Sequence, residues 1–330
     1  MKKEELIGAV VIGRNEGERL NDCFNSLRKE LHCIVYVDSG STDNSVDIAE
    51  KHQVKLVRLD LSIPFTAARA RNEGFKALID QFPELKYVHF IDGDCQIVSG
   101  WLDTAFSFLE SNETYAVGCG RRRERFPERT LYNRLCDIEW NTPTGDATAC
   151  GGDALIRISA FSEAKGYRND LIAGEEPELC FRLRENGWKI RRLDHDMTVH
   201  DANMTHFRQW WQRTKRAGFA YSAGSHLHCK SPERYWVKET RSIVFWGGFL
   251  PIASLILSFF VNPWFLSLWL IYPTQIAKIA FIYPVDKSSR RISLIYACSV
   301  MLAKFPQISG VGRFLKTQLF SEKAKLIEYK

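Results

Sequence analysis

The chain has 330 residues, 45% hydrophobic and 25% charged, a composition that fits a folded globular protein and excludes wholesale disorder, a collagen-like repeat and a polytopic membrane protein. Its nine cysteines, at 23, 33, 95, 119, 136, 150, 180, 229 and 298, include no CxxC pair, so neither a zinc ribbon nor a disulfide framework is indicated and a reducing, cytosolic setting is expected. Charge is unevenly placed: residues 1–205 hold 27 Lys/Arg against 34 Asp/Glu, a net of −7, whereas residues 206–330 hold 18 against 5, a net of +13.

The amino-terminal apolar run stops at Arg14, too early for a signal peptide. Ile7 to Ile12 predicts a strand closed by Gly13, and Leu20, Cys23, Phe24 and Leu27 follow helical spacing, which makes a βα unit. Cys33 to Val37 predicts the next strand, ending in Asp38-Ser-Gly-Ser-Thr-Asp43, a turn rich in capping residues, before a short helix with Val46, Ile48 and Ala49. Val54 to Leu59 and Tyr87 to Ile91 predict further strands around a helix from about Ala67 to Ile79. Repeated βα units favour a mostly parallel sheet flanked by helices, whose ligands sit at the carboxyl ends of the strands. Asp38 and the pair Asp92 and Asp94 are expected on one such rim.

Further along, Glu175-Glu176-Pro177-Glu178 leads into Arg182-Leu183-Arg184 and Gly187, which predicts a helix with proline at its first position and Glu176 as N-cap. A carboxylate there faces the positive helix end and stays ionised. Asp194-His195-Asp196-Met-Thr-Val-His200 follows a short strand and offers His200, or His195, as a ligand, or both as satisfied surface groups. His226, His228 and Cys229 lack paired zinc spacing and are assigned no role.

Trp210-Trp211-Gln-Arg213-Thr-Lys-Arg216-Ala-Gly218-Phe-Ala-Tyr221 places Arg213 and Arg216 on one helical face, able to close over a diphosphate or touch lipid phosphates. From Ile243 to Val261 there is no charge, and Trp264 to Tyr283 is interrupted only by Lys278. Each stretch nearly spans a bilayer, and Lys238, Arg241, Lys287, Arg290 and Arg291 would hold both ends of a hairpin at about 243–283 on the cytoplasmic face. Pro251, Gly247, Gly248 and Pro273 leave open a buried core pair or interfacial helices. The adjoining apolar stretch favours a membrane boundary over nucleic acid for the basic and aromatic segment.

Four motifs stand in order at strand and helix ends: Val11-Ile-Gly-Arg-Asn15-Glu16, Val37-Asp38-Ser-Gly-Ser-Thr-Asp43, Ala68-Arg69-Ala-Arg71-Asn72-Glu-Gly74 and Asp92-Gly-Asp94. Together they resemble the family-2 nucleotide-sugar glycosyltransferases of GT-A fold, bacterial surface-polysaccharide type, through roughly residues 6 to 220. The resemblance implies a GT-A-like domain over 1–220, and the apolar, basic stretch that follows predicts a helical membrane-associated region over 221–330. The resemblance implies Mn²⁺ or Mg²⁺ held by Asp92, Asp94 and His200 and an inverting transfer, and the expected tie to the cytoplasmic membrane face points to a lipid-linked or saccharide acceptor. Asp38 would accept the ring N–H of the nucleotide base, and Arg71 would lie beside the diphosphate, with Asn15, Glu16, Asp43, Arg213 and Arg216 as further nucleotide-sugar contacts. Gly151-Gly152-Asp153 resembles the family's glycine-rich sugar and acceptor segment, where Asn is common in place of Asp153. Glu176 resembles the general base of the family's Glu-Asp motif, with Glu175 as its understudy. Two rivals remain: a sugar-1-phosphate nucleotidyltransferase, which usually has a glycine-rich lysine-bearing loop that Gly13-Arg14-Asn15-Glu16-Gly17 is not, and a catalytically inactive membrane-bound sugar-binding scaffold.

Overall fold

The computed structural model describes residues 3–282, 285, 289–320 and 327, and the chain divides into two compact units, Met1–Asn203 and Met204–Lys330. The first unit runs β1 (Ile7–Gly13), α1 (Glu18–Leu27), β2 (Ile34–Asp38), α2 (Ser45–Lys51), β3 (Lys55–Arg58), α3 (Ala67–Gln81), β4 (Tyr87–Asp92), β5 (Cys95–Ile97) and α4 (Trp101–Ser111). It continues through β6 (Tyr115–Glu124), α5 (Leu131–Trp140), β7 (Gly145–Asp146), β8 (Ala154–Arg157), α6 (Ile158–Glu163), α7 (Glu175–Glu185) and β9 (Lys189–His200). The strands form one sheet in the order β3-β2-β1-β4-β8-β6-β9-β5, with β7 alongside β9.

The sheet has two characters. β3, β2, β1 and β4 are mutually parallel, as crossover helices require. β1, β2 and β4 are apolar nearly throughout, because a parallel sheet covered on both faces leaves no polar side. Past β4 the sheet is mixed: β8 runs antiparallel to β4 and β6, β6 runs parallel to β9, and β5 and β7 add antiparallel to β9. The core packs Leu20, Phe24 and Leu27 of α1, Leu78 of α3, and Trp101, Leu102 and Leu109 of α4 against the strands, all fully buried. Thr66 starts α3 as expected of an N-cap, its Oγ1 accepting the Arg69 N–H at 3.1 Å.

The second unit is helical: α8 (Phe207–His228), α9 (Val237–Val244), α10 (Leu250–Phe260), α11 (Ile271–Ile282), α12 (Arg290–Leu302) and α13 (Lys304–Leu319). Residues 245–249 form a π-helical turn that joins α9 to α10, so the helix passes Gly247 and Gly248 and accommodates Pro251, which has no N–H to give. Among the described residues three helical stretches are long and apolar enough to cross a membrane: Val237–Phe260 with 24 residues, Pro263–Ile282 with 20 and Arg290–Leu319 with 30. The third was not anticipated in the sequence, because Arg290, Arg291, Lys304, Arg313 and Lys316 break up its apolar run. Tyr283, the expected end of the second apolar segment, and Lys287, one of its flanking cations, lie outside the described residues.

Candidate active site

The rim of the parallel half carries the expected turns. Asp38 ends β2 and is nearly fully buried, its carboxylate accepting the N–H groups of Gly40 and Ser41 at 3.0 Å and the Tyr36 hydroxyl at 3.3 Å. That is an Asx-type turn, so Asp38 shapes the loop that follows β2. Asn15, in a left-handed conformation with φ 57°, accepts the Thr42 N–H at 2.7 Å and thereby ties the turn after β1 to the one after β2. Glu16 pairs with Arg19 at 2.7 Å, and Asp43 accepts the Ser45 N–H at 3.0 Å where α2 begins. These four acid and amide groups cluster on one end of the sheet.

Asp92 ends β4, and its environment is set by three separate elements. Arg71 of α3 is 3% exposed and donates to Asp92 Oδ1 at 2.8 Å and to Glu175 Oε1 at 2.9 Å. Arg122 of β6 reaches Asp92 Oδ2 at 3.4 Å and Asp153 Oδ1 at 2.7 Å. Burial works against the Asp92 anion, but the charges of Arg71 and Arg122 outweigh it and hold the carboxyl below its usual range. Both arginines are therefore neutralised internally. Neither arginine lies on an exposed helical face: Arg69 is buried too, donating to the carbonyls of Asp60 at 2.6 Å and Ile63 at 2.7 Å.

Asp153 is fully buried and accepts Arg122, the Thr198 hydroxyl at 2.6 Å and the Asp92 N–H at 3.2 Å. Arg122 and Thr198 meet there because β6 pairs with β9 in that register. Asp153 thus fixes the end of β4 from beneath, and no sequence signal identified Arg122 or Thr198 as its partners. At Gly152, a Cβ would stand 2.9 Å from Arg122 Nη2, 3.1 Å from Asp92 Oδ2 and 3.2 Å from Arg71 Nη2, so the backbone lies against the charged cluster as only glycine allows.

Asp94 turns to a different neighbour. β5 pairs antiparallel with β9 so that Cys95 opposes His200, and His200 Nε2 lies 3.2 Å from Asp94 Oδ2, both residues buried. Asp94, Cys95 and His200 offer ligand atoms within 4.8 Å of one another, as do Asp92, Cys95 and Asp153. A buried carboxylate oxygen beside an imidazole nitrogen is a donor set suited to Mn²⁺ or Mg²⁺. His195 is placed elsewhere, its Nδ1 2.6 Å from the Asp196 carbonyl and its ring over Trp101.

The start of α7 differs from expectation. Gly174, with φ 78°, is the N-cap, and Glu175, Glu176 and Pro177 occupy the first turn. Glu176 is therefore inside the helix, where an acid complements the dipole, and it breaks no capping preference. Its Oε1 accepts the Cys150 N–H at 2.6 Å and the thiols of Cys150 and Cys180, each at 3.1 Å. Burial pushes the Glu176 carboxyl up, against the pull of those donors. Glu175, by contrast, is bound to Arg71. Sequence reasoning missed Cys150 and Cys180 here; the i, i+4 spacing of Glu176 and Cys180 was the one available signal. Arg213 and Arg216 lie on α8 in the second unit.

With this geometry in hand, residues 9–163 match the sequence profile described as Glycosyl transferase family 2. That stretch, just under half of the chain, is similar to family-2 glycosyltransferase domains. The chain is 27% identical over 130 residues to "Uncharacterized glycosyltransferase EpsJ" of Bacillus subtilis (strain 168), a match that covers 38% of this chain and only 36% of that protein. The fold resembles that of the mannosyltransferase PcManGT from Pyrobaculum calidifontis, solved in complex with GDP-Man and Mn²⁺, with a TM-score of 0.59 at 15% identity over 94% of this chain and 86% of the other. The mixed sheet with its parallel half is thus a GT-A type fold.

Proposed function

We propose that the protein is an inverting, metal-dependent glycosyltransferase that moves a sugar from a nucleotide-sugar donor to a hydroxyl of a lipid-linked or saccharide acceptor at the cytoplasmic membrane face. The observation that carries this reading is Arg71, whose guanidinium joins Asp92 of the acidic turn to Glu175 at the start of α7. That pairing ties the first turn of α7, which carries Glu176, to the acidic turn at which a donor would lie. Asp94 and His200 would hold the metal, with Asp92 beside them, and a bound divalent ion would offset charge on the departing diphosphate. Glu176 Oε1 is anchored by the Cys150 N–H, which fixes the carboxylate to receive the acceptor proton in the manner of a general base. Asn15, Asp38 and Asp43 shape the loops that would enclose the nucleotide, and Gly152 leaves room for the sugar.

The apolar stretches of the second unit support membrane association and, with it, a lipid-linked acceptor. Incubating the full-length protein with UDP-, GDP- and dTDP-sugars and Mn²⁺ tests the reading: donor turnover is expected with one nucleotide class, abolished by chelation and reduced in Asp94→Asn. Nucleotide binding without turnover for any donor would favour the inactive scaffold.

A further inference from the structure

Glu176 and the two thiols beside it form a cluster unlike the acidic turn. Cys150 Sγ and Cys180 Sγ are 3.5 Å apart, and each lies 3.1 Å from Glu176 Oε1. A tetrahedral zinc ion, with Zn–S near 2.3 Å and Zn–O near 2.1 Å, has ligand–ligand edges of roughly 3.5 to 3.8 Å. The observed triangle needs to widen by only a few tenths of an ångström to take one. Two sulfurs with one carboxylate select a soft or borderline ion, whereas the clusters of Asp94, Cys95 and His200 and of Asp92, Cys95 and Asp153 hold one sulfur each and bring the carboxylates that suit a hard one. Cys180 and Glu176 are held one helical turn apart on α7, and Cys150 is partly exposed, which leaves an entry path.

We propose that Cys150, Glu176 and Cys180 form a second metal site, specific for a zinc-type ion, whose occupation ties up the Glu176 carboxylate and switches the enzyme off. Binding converts two thiols to thiolates and releases two protons, so affinity falls on acidification. The hydrogen bond with Cys180 and burial raise the Cys150 thiol, and burial raises that of Cys180, so the two-proton dependence extends to higher pH. The inhibitory consequence rests on Glu176 being the general base; the site itself does not.

The test uses full-length, fully reduced protein in detergent, with Mn²⁺ in excess, titrated with Co²⁺ alone. A thiolate-to-cobalt charge-transfer band and a tetrahedral visible band are expected, both displaced by Zn²⁺. Cys150→Ser and Cys180→Ser should each weaken binding by at least about 100-fold, since even outer groups around a metal cost 10- to 100-fold. Cys95→Ser, which touches the other candidate clusters, should leave the bands in place. Should a variant misfold, alkylation of the wild type decides: Zn²⁺ should protect Cys150 and Cys180 together, read by peptide mass. Absent bands, or bands unchanged in both serine variants, overturn the site. Bands with undiminished sugar transfer under Zn²⁺ keep the site and overturn the role of Glu176.

Discussion

Arg71 is the residue on which the two halves of the site depend, and its burial decides what its charge does. A guanidinium in such a place is compensated by Asp92 and Glu175 and contributes rigidity to their placement. Two changes separate chemistry from architecture. Glu176→Gln keeps length and two polar atoms but cannot take a proton, so turnover should fall by roughly 10² or more with nucleotide affinity unchanged. Because burial raises the Glu176 carboxyl above its ordinary range near 4.3, the wild-type rate should rise with pH through that raised value, and the slow residual rate of the variant should lack this limb. A pH series of donor turnover checks both; a variant as active as wild type leaves Glu176 a first-turn acid that only complements the helix dipole. Arg122→Met, by contrast, strands the fully buried Asp153 carboxylate, and such breakage costs about 3 to 5 kcal/mol. Its melting temperature should drop steeply, and Asp153→Asn combined with Arg122→Met should recover part of the loss.

At the scale of elements, β4 shows how one strand serves core and site together. Side chains alternate along it, so His89 and Asp92 point to opposite faces. His89 is fully buried, and burial pulls its imidazole down to about 4. A histidine depressed in the folded state adds no proton-linked cost while both states are neutral; as pH falls below about 6.5 the unfolded chain takes up protons that the native one refuses, and stability is lost. Between pH 7 and pH 5 this should remove about 2 kcal/mol, and His89→Leu should flatten the dependence, measured as melting temperature of the full chain against pH. An unchanged slope would show that other groups govern the acid response. The parallel half was legible in the sequence because each apolar run of four to seven residues ends in a turn of capping residues, as at Asp38 and Asp92. The mixed half was not. β6 carries Arg121, Arg122 and Arg123 in succession and pairs with β9 through register shifts, so neither apolar alternation nor spacing announces it. Asp92, Asp94 and Glu176 were legible as candidates because acids at strand and helix ends are local features. Arg122, Thr198 and Cys150 reach them only through strand pairing and a loop, which no local window contains.

At the scale of the whole molecule the question is what covers the apolar helices of the second unit. α13 already has a partner: Gly310 and Gly218 bring it into backbone contact with α8, a helix carrying Arg208, Arg213, Lys215 and Arg216. That commits the later part of Arg290–Leu319 to a polar neighbour, despite its length. α11 packs on α12 and stacks Tyr272 on Phe305 of α13, but at the bend between α10 and α11 Phe259 is 82% exposed, Phe260 76% and Trp264 80%. Three large side chains on water would cost several kcal/mol of forgone burial, at roughly 1.5 to 3 kcal/mol each. A bilayer removes that cost without any geometric match, and the net +13 of residues 206–330 adds attraction to anionic lipid of about 1 kcal/mol per basic residue near the surface. The two contributions respond differently to salt, since only the second is screened, within a Debye length of about 8 Å at 0.15 M. The full-length protein should accordingly stay with membranes through a high-salt wash and leave in detergent. Replacing Phe259, Phe260 and Trp264 by Asp should leave only the screened attraction, so that the triple variant binds anionic vesicles at low salt and is released at high salt. If the wild type is recovered from the soluble fraction without detergent, a second copy of the chain must cover α10 and α11, and sedimentation should then show a dimer or larger. In that outcome the lipid-linked acceptor loses its support, while the reading of Glu176 and the acidic turn, which lies wholly within the first unit, is untouched.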